Sequence, residues 1–294
     1  LDECEPEVTK YEYENYRFYA GSDKEAGNLY PKEFARMVYE GRKEEGEEDI
    51  LSLTRCAWAG SQRYGALVWT GDVYSDFNSL RNQIAAGMNM GLSGIPWWTT
   101  DIGGFHGGNV ASPEFRECLV RWFEFGAFCP VFRLHGFRNP IVTDPEEMVF
   151  TGKNAKEWKY TSGSPNEVWS YGEEVYQICE KYLKLREKMR PYINEQMKLA
   201  HEKGTPVMRP LFFDYPEDAK AWEIEDQYMF GPDILVAPVV YEGTREREVY
   251  LPEGEWVQIH SKDTFTGGQK IVCKAELDEI PVFVKREKEE IFDE

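Results

Sequence analysis

The chain is poor in the signatures that would commit it to a metal, a membrane or a nucleic acid. Its six cysteines, at positions 4, 56, 118, 129, 179 and 273, form no Cys-x-x-Cys pair, which speaks against a zinc site. Several fall inside apolar runs, where a thiol behaves as a small buried side chain, and an even count alone implies no disulfide framework. No apolar run approaches the roughly 20 residues of a membrane-spanning helix, and no signal peptide is recognisable. Basic charge is scarce: 34 Lys and Arg face 53 Asp and Glu, a net charge of −19. Such a chain repels phosphate backbones and anionic lipid, so neither nucleic acid nor membrane is expected as a partner, whereas a neutral substrate is compatible. The glycine-rich stretch Gly103-Gly-Phe-His-Gly-Gly108 lacks both the GxGxxG spacing and a following Lys-Ser/Thr, so it is a weak phosphate cradle and is expected to be a mobile rim loop.

What is present is a repeated pattern of buried strands that end in polar groups. Tyr64-Gly-Ala-Leu-Val-Trp69 reads as a short buried strand, Gly71 turns the chain, and Asp72 stands at its C-terminal mouth. Gly94-Ile-Pro-Trp-Trp-Thr-Thr-Asp101 ends in a second aspartate. Pro130-Val-Phe-Arg-Leu-His135 ends in histidine, and Ile50-Leu-Ser-Leu-Thr-Arg55 in arginine. Any one of these groups, taken alone, reads as a loop charge. Four in succession is how a (β/α)8 barrel assembles a site at one face.

These segments resemble those of glycoside hydrolase family 31, which holds α-glucosidases, α-xylosidases and relatives. The run from Arg55 to Asp72 is similar to the family's acid/base segment. Gly94 to Phe105 and Phe132-Arg-Leu-His-Gly136 are similar to two more, in the right order. Leu1-Asp-Glu-Cys-Glu-Pro-Glu7 resembles the nucleophile segment without its leading tryptophan. The resemblance implies Asp2 as nucleophile and Asp72 as acid/base, with Arg55, Asp101 and His135 holding sugar hydroxyls. Trp69 is placed with them as a substrate-binding residue beside the site, where it could also help desolvate Asp72, and Glu5 orients neighbours. Arg55 is also a candidate ion-pair partner of Asp2 or Asp72. Asp72 is expected to need a raised pKa to hold a proton near neutrality. Asp-Glu-Cys-Glu in place of the commoner Asp-Met-Asn-Glu looks like the α-xylosidase-rich branch.

The fold class expected is α/β: the C-terminal portion of a (β/α)8 barrel over residues 1–204, then an all-β sandwich over 205–294. The barrel strands end at Asp2, Arg55, Asp72, Asp101 and His135, which in the family are strands four to eight. The chain is therefore read as a fragment, with earlier strands and an amino-terminal β-sandwich upstream. Between the strands, Phe34, Met37, Val38 and Gly41 follow helical spacing, as do Phe77, Leu80, Ile84 and Met88. Ser112-Pro113-Glu114 is a helix start, and Phe115, Leu119, Trp122 and Phe123 form one buried face. One long helix is expected from Glu173 to Lys203, kinked at Pro191. After Gly204, strands are expected at 206–213, 228–230, 234–241, 246–251, 256–259 and 279–285.

The function implied is a retaining α-glycoside hydrolase, first an α-xylosidase and next an α-glucosidase. A transglycosylase shares every motif, and a carbohydrate-binding protein without turnover is the reading from a different class. An interaction module would need a large exposed apolar patch. The substrate is an oligosaccharide or glycoside, the mechanism needs no cofactor, and association into a homo-oligomer stays open. The compartment is left open too, with the cytoplasm favoured over the periplasm or secretion.

Overall fold

Three short parallel strands set the frame for the site: β1 (Ser52–Thr54), β2 (Ala66–Trp69) and β3 (Trp98–Thr99), hydrogen-bonded in that order. The computed structural model describes residues 1–2, 15–139 and 163–292. Because the strands are parallel, their C-terminal ends emerge on one side, and the residues that follow each strand come together there. Thr54 lies opposite Val68, and Trp69 opposite Thr99. All four residues of β2 are buried, as expected of a strand covered on both faces.

The segment at 130–135 is not a continuous strand, contrary to the sequence reading. It runs beside β3 through separate bonds: the Val131 amide donates to the Trp98 carbonyl at 3.2 Å, and Ile102 pairs with Leu134 as an isolated bridge. Pro130 brings no amide hydrogen, and the Thr99 hydroxyl takes the Val131 carbonyl at 3.0 Å, so the ladder is interrupted at its start.

The helices that alternate with these strands are α1 (Leu29–Glu44), α2 (Phe77–Leu92) and α3 (Pro113–Ala127). In α1 the buried positions are Pro31 and Ala35, and Met37 is exposed rather than facing inward. α2 opens on Asp76, whose carboxylate accepts the Ser79 amide at 2.7 Å, and buries Leu80, Ile84 and Met88 as their spacing predicts. α3 opens on Ser112 with Pro113 in the first turn. Only one face of it was expected to be buried, yet every residue from Cys118 to Ala127 is.

The reason is that α3 packs against the helix Glu173–Lys188 on one side and meets the second unit on another, as in the edge-on contact of Phe125 with Tyr228. The second unit contains β4 (Met208–Arg209), β5 (Tyr228–Phe230), β6 (Ile234–Val236), β7 (Glu246–Leu251), β8 (Glu255–Gln258), β9 (Thr264–Thr266), β10 (Gln269–Lys274) and β11 (Val282–Lys285). Six strands form one antiparallel sheet in the order β9-β8-β11-β6-β5-β4, and β7 pairs with β10 in a separate two-stranded sheet. The period-2 alternation of the large sheet splits its side chains between two cores. Tyr228, Phe230, Ile234, Val236, Val282 and Val284 pack into the barrel helices. Met229, Leu235, Trp256 and Phe283 pack with Val249 and Leu251 of β7 in the second core. The sandwich is thus lopsided, and its larger sheet meets the end of α3 through Tyr228 and Phe230, which face Phe125 and Phe128.

Other elements depart from the sequence reading: the strands expected at 234–241 and 279–285 shorten to β6 and β11. Glu173–Lys203 is two helices, α4 (Glu173–Lys188) and α5 (Arg190–Lys203), because Pro191 can join a helix only in its first turn; the chain breaks rather than kinks there. The strand expected at 206–213 is only β4, and Leu211–Asp214 is a helical turn closed by Arg209, whose Nε and Nη2 donate to the two oxygens of Asp214 at 2.7 and 2.8 Å. Among the described residues no helix is long and apolar enough to cross a membrane.

Candidate active site

Arg55, directly after β1, links two of the three aspartates at the barrel mouth. Its Nη1 lies 3.3 Å from Asp2 Oδ1 and 3.5 Å from Asp72 Oδ2. Asp2 lies beside β1, where the backbone nitrogen of the preceding Leu1 donates to the Leu53 carbonyl at 2.6 Å. Asp72 follows the Gly71 turn, where φ of +73° suits glycine, and its side chain is 35% exposed. One guanidinium therefore lies between two carboxylates and offsets part of their mutual repulsion.

Asp101 follows β3 and is fully buried. Its Oδ1 accepts a hydrogen bond from Arg133, and its Oδ2 has no partner among the described residues. Burial raises the Asp101 pKa above the ordinary carboxylate value; the charges of Arg133 and His135 oppose that rise, and the charge of Asp72 adds to it. The Arg133 guanidinium also faces the ring of Trp69, 5.8 Å from its centroid. Trp69 is buried, and the Arg133 guanidinium lies between it and the mouth. His135 is exposed, with its ring 5.6 Å from that of Phe105.

Of the residues singled out in the sequence, Asp2, Arg55, Asp72, Trp69, Asp101 and His135 meet at this one face. Glu5 lies outside the described residues. Arg133 was missed, although its spacing of two from His135 was a usable signal. Arg138 was missed too, with no local signal to find it. It is fully buried, and its guanidinium donates to Ser75 Oγ at 2.9 Å and to the carbonyls of Gly103 and Gly107, each at 3.2 Å. The glycine-rich stretch is therefore fastened from beneath rather than a mobile rim. Gly104 shows how closely: at φ +75°, a Cβ there would lie 2.6 Å from the Tyr74 carbonyl oxygen.

Among the described residues no group of three or more His, Cys, Asp or Glu side chains could hold a metal ion. Cys118, Cys129, Cys179 and Cys273 are buried core residues, and burial pushes the thiols of Cys118 and Cys179 up to about 12. The chemistry the arrangement offers is that of carboxylates, two arginines and a histidine around an open mouth.

Two family models match the chain in order. The glycosyl hydrolases family 31 TIM-barrel domain covers residues 1–196, and the glycosyl hydrolase family 31 C-terminal domain covers 204–288. A family 31 α-xylosidase from a soil metagenome, solved in complex with xylose, is 54% identical with a TM-score of 0.87 over 97% of this chain and 42% of its own. An α-xylosidase of Saccharolobus solfataricus is 38% identical over 88% of this chain and 32% of its own length. A Pseudescherichia vulneris protein named as an uncharacterized family 31 glucosidase is 61% identical over 48% of this chain and 27% of its own length. The chain thus spans less than half the length of each of these relatives.

Proposed function

The chain belongs to glycosyl hydrolase family 31, and from that premise we propose that the protein is a retaining α-glycoside hydrolase that removes α-linked xylose from the non-reducing end of an oligosaccharide or glycoside. In this reading Asp2 is the nucleophile and Asp72 the acid/base. The Asp2 carboxylate attacks the anomeric carbon as the glycosidic C–O bond breaks, and Asp72 gives its proton to the departing oxygen. Water then attacks the glycosyl–enzyme ester, Asp72 takes the water's proton, and Asp2 is released as carboxylate.

The observation that carries the reading is the shared Arg55 nitrogen. With 3.3 and 3.5 Å to one nitrogen, the two nearest carboxylate oxygens are at most about 7 Å apart, which is compatible with the ~5–5.5 Å needed for direct attack. Arg55, Asp101 and His135 are the hydroxyl-binding groups. The unpartnered, buried Oδ2 of Asp101 is the acceptor to which a sugar hydroxyl would donate. Trp69 backs Arg133, and Glu5 is kept as an orienting residue. We assign residues 1–204 to the barrel and 205–294 to the β-unit. Gly204 supports that boundary, because it caps α5 in the left-handed region just before helices give way to antiparallel strands.

Xylose is favoured by the names of the 54% and 38% identical relatives. The 61% identical relative named as a glucosidase favours glucose as the second reading. Release of nitrophenol from aryl α-xyloside and aryl α-glucoside by the whole protein separates the two. Faster release from the xyloside is expected. A preference for the glucoside overturns the sugar, and silence on both overturns the hydrolase.

A further inference from the structure

Beyond the groups that would hold the reacting sugar, a row of aromatic rings leads outward from the mouth. His135 is its inner end. The Phe105 ring lies 5.6 Å from His135 and 4.9 Å from His106, and the His106 ring lies 5.8 Å from Tyr74. Tyr74, the outer end, is 69% exposed.

This row stands on a backbone ladder that joins three mouth loops. The amides of Phe105 and His106 both donate to the Val73 carbonyl, at 2.8 and 3.0 Å. The Ser75 amide donates to the His106 carbonyl at 3.1 Å, and the Phe137 amide to the Phe105 carbonyl at 2.9 Å. His106 pairs in parallel with Tyr74 on one side and Phe137 on the other, and Arg138 ties Ser75, Gly103 and Gly107 together from below. Exposed aromatic rings on so firmly held a backbone are pre-organised: a ligand that stacks on them meets little ordering cost.

Where the row lies decides which part of a ligand it would meet. An acid/base at Asp72 donates its proton to the oxygen of the leaving group, so the leaving group lies on the Asp72 side, and Tyr74 is two residues further along that loop. We propose that Tyr74 and His106 hold the leaving group, and that the leaving group they select is a neutral sugar offering a C–H face for stacking. The phenol hydroxyl and the imidazole add polar partners for its hydroxyls, and the chain's charge of −19 disfavours an anionic one. The inference rests on the assignment of Asp72 as acid/base.

The test uses two substrates with the same xylosyl group, cleaved by the whole protein. One is α-xylosyl fluoride, whose leaving group has nothing to stack. The other is an α-xylosyl-glucose disaccharide. For Tyr74→Ala the loss of kcat/KM on the disaccharide is expected to exceed that on the fluoride by about tenfold, the scale of one aromatic contact with its buried area. His106→Ala is expected to act in the same direction, and Tyr74→Phe to retain most of the disaccharide rate. Equal losses on both substrates, or no loss on the disaccharide, overturn the proposal. An unaltered protein that cleaves neither substrate overturns the hydrolase reading on which it stands, a result distinct from either.

Discussion

Arg133 and Asp101 form an ion pair in which the acid is fully buried and the base reaches the mouth against the ring of Trp69. A carboxylate with no water around it favours its neutral form, and the guanidinium opposes that. Replacing Arg133 by Met therefore pushes the Asp101 pKa further up. If the ionised form binds the sugar, the acidic limb of the kcat/KM profile moves to higher pH. The loss of a charge-assisted bond, ~1.5–3 kcal/mol, sets a fall of roughly 10- to 100-fold on the plateau. A pH–rate profile of Arg133→Met beside Arg133→Lys measures both, and the lysine variant is expected to shift the limb less.

Asp72→Ala separates acid catalysis from nucleophilic attack. Loss of the proton donor should slow substrates with poor leaving groups by ~100-fold or more and spare activated aryl glycosides in the first step. The measurement is kcat/KM across aryl α-xylosides of graded phenol pKa. A flat dependence in the variant would remove Asp72 from the acid role.

The contact between the barrel part and the β-unit turns on Arg121. Buried in α3, it donates to the carbonyls of Ala275 and Glu276 at 2.7 and 2.8 Å and pairs with the equally buried Glu124 at 3.1 Å. Arg121→Met leaves the Glu124 charge and these carbonyls unanswered. Breaking such a pair on one side costs about 3–5 kcal/mol, which urea unfolding of the variant would read. Replacing both residues with apolar ones of similar volume should recover much of it.

Two buried groups at the same junction titrate in opposite senses. Burial pushes Glu124 up to about 7, against the opposing charge of Arg121. Burial, with the nearby Lys181, pushes His260 down to about 4. Glu124 holds its proton more tightly folded than unfolded, so its contribution is full below its ordinary value of 4.5 and is lost as pH rises through about 7. His260 holds its proton less tightly folded, so its contribution is present above its ordinary value of 6.5 and is lost as pH falls towards about 4. The two slopes oppose each other between 4.5 and 6.5. Glu124→Gln is expected to leave stability rising with pH across that window, and His260→Gln to leave it falling. Urea midpoints from pH 4 to 8 check both.

The strand ends and their order were legible because the signals are local. Trp69-Thr-Gly-Asp72 combines an apolar run, a turn residue and a carboxylate within a few positions, and each piece needs only its neighbours to be read. The alternation after Gly204 was readable for the same reason, although Thr264–Thr266 and Gln269–Lys274, half exposed and polar, escaped it. Pro191 announced a discontinuity, but not whether the helix would bend or break, since that depends on what packs beside Met189.

By itself, the sequence pointed to three aspartates, one arginine and a histidine (Asp2, Asp72, Asp101, Arg55 and His135) on one side of a parallel sheet. Only the tertiary structure decided which of them pair. Arg55 lies between Asp2 and Asp72, Arg133 serves Asp101, and Arg138 and Arg121 are buried where a linear reading puts charges at the surface. Local pattern is set by a residue's own backbone and near neighbours, whereas burial of a charge depends on carbonyls and carboxylates brought from distant parts of the chain.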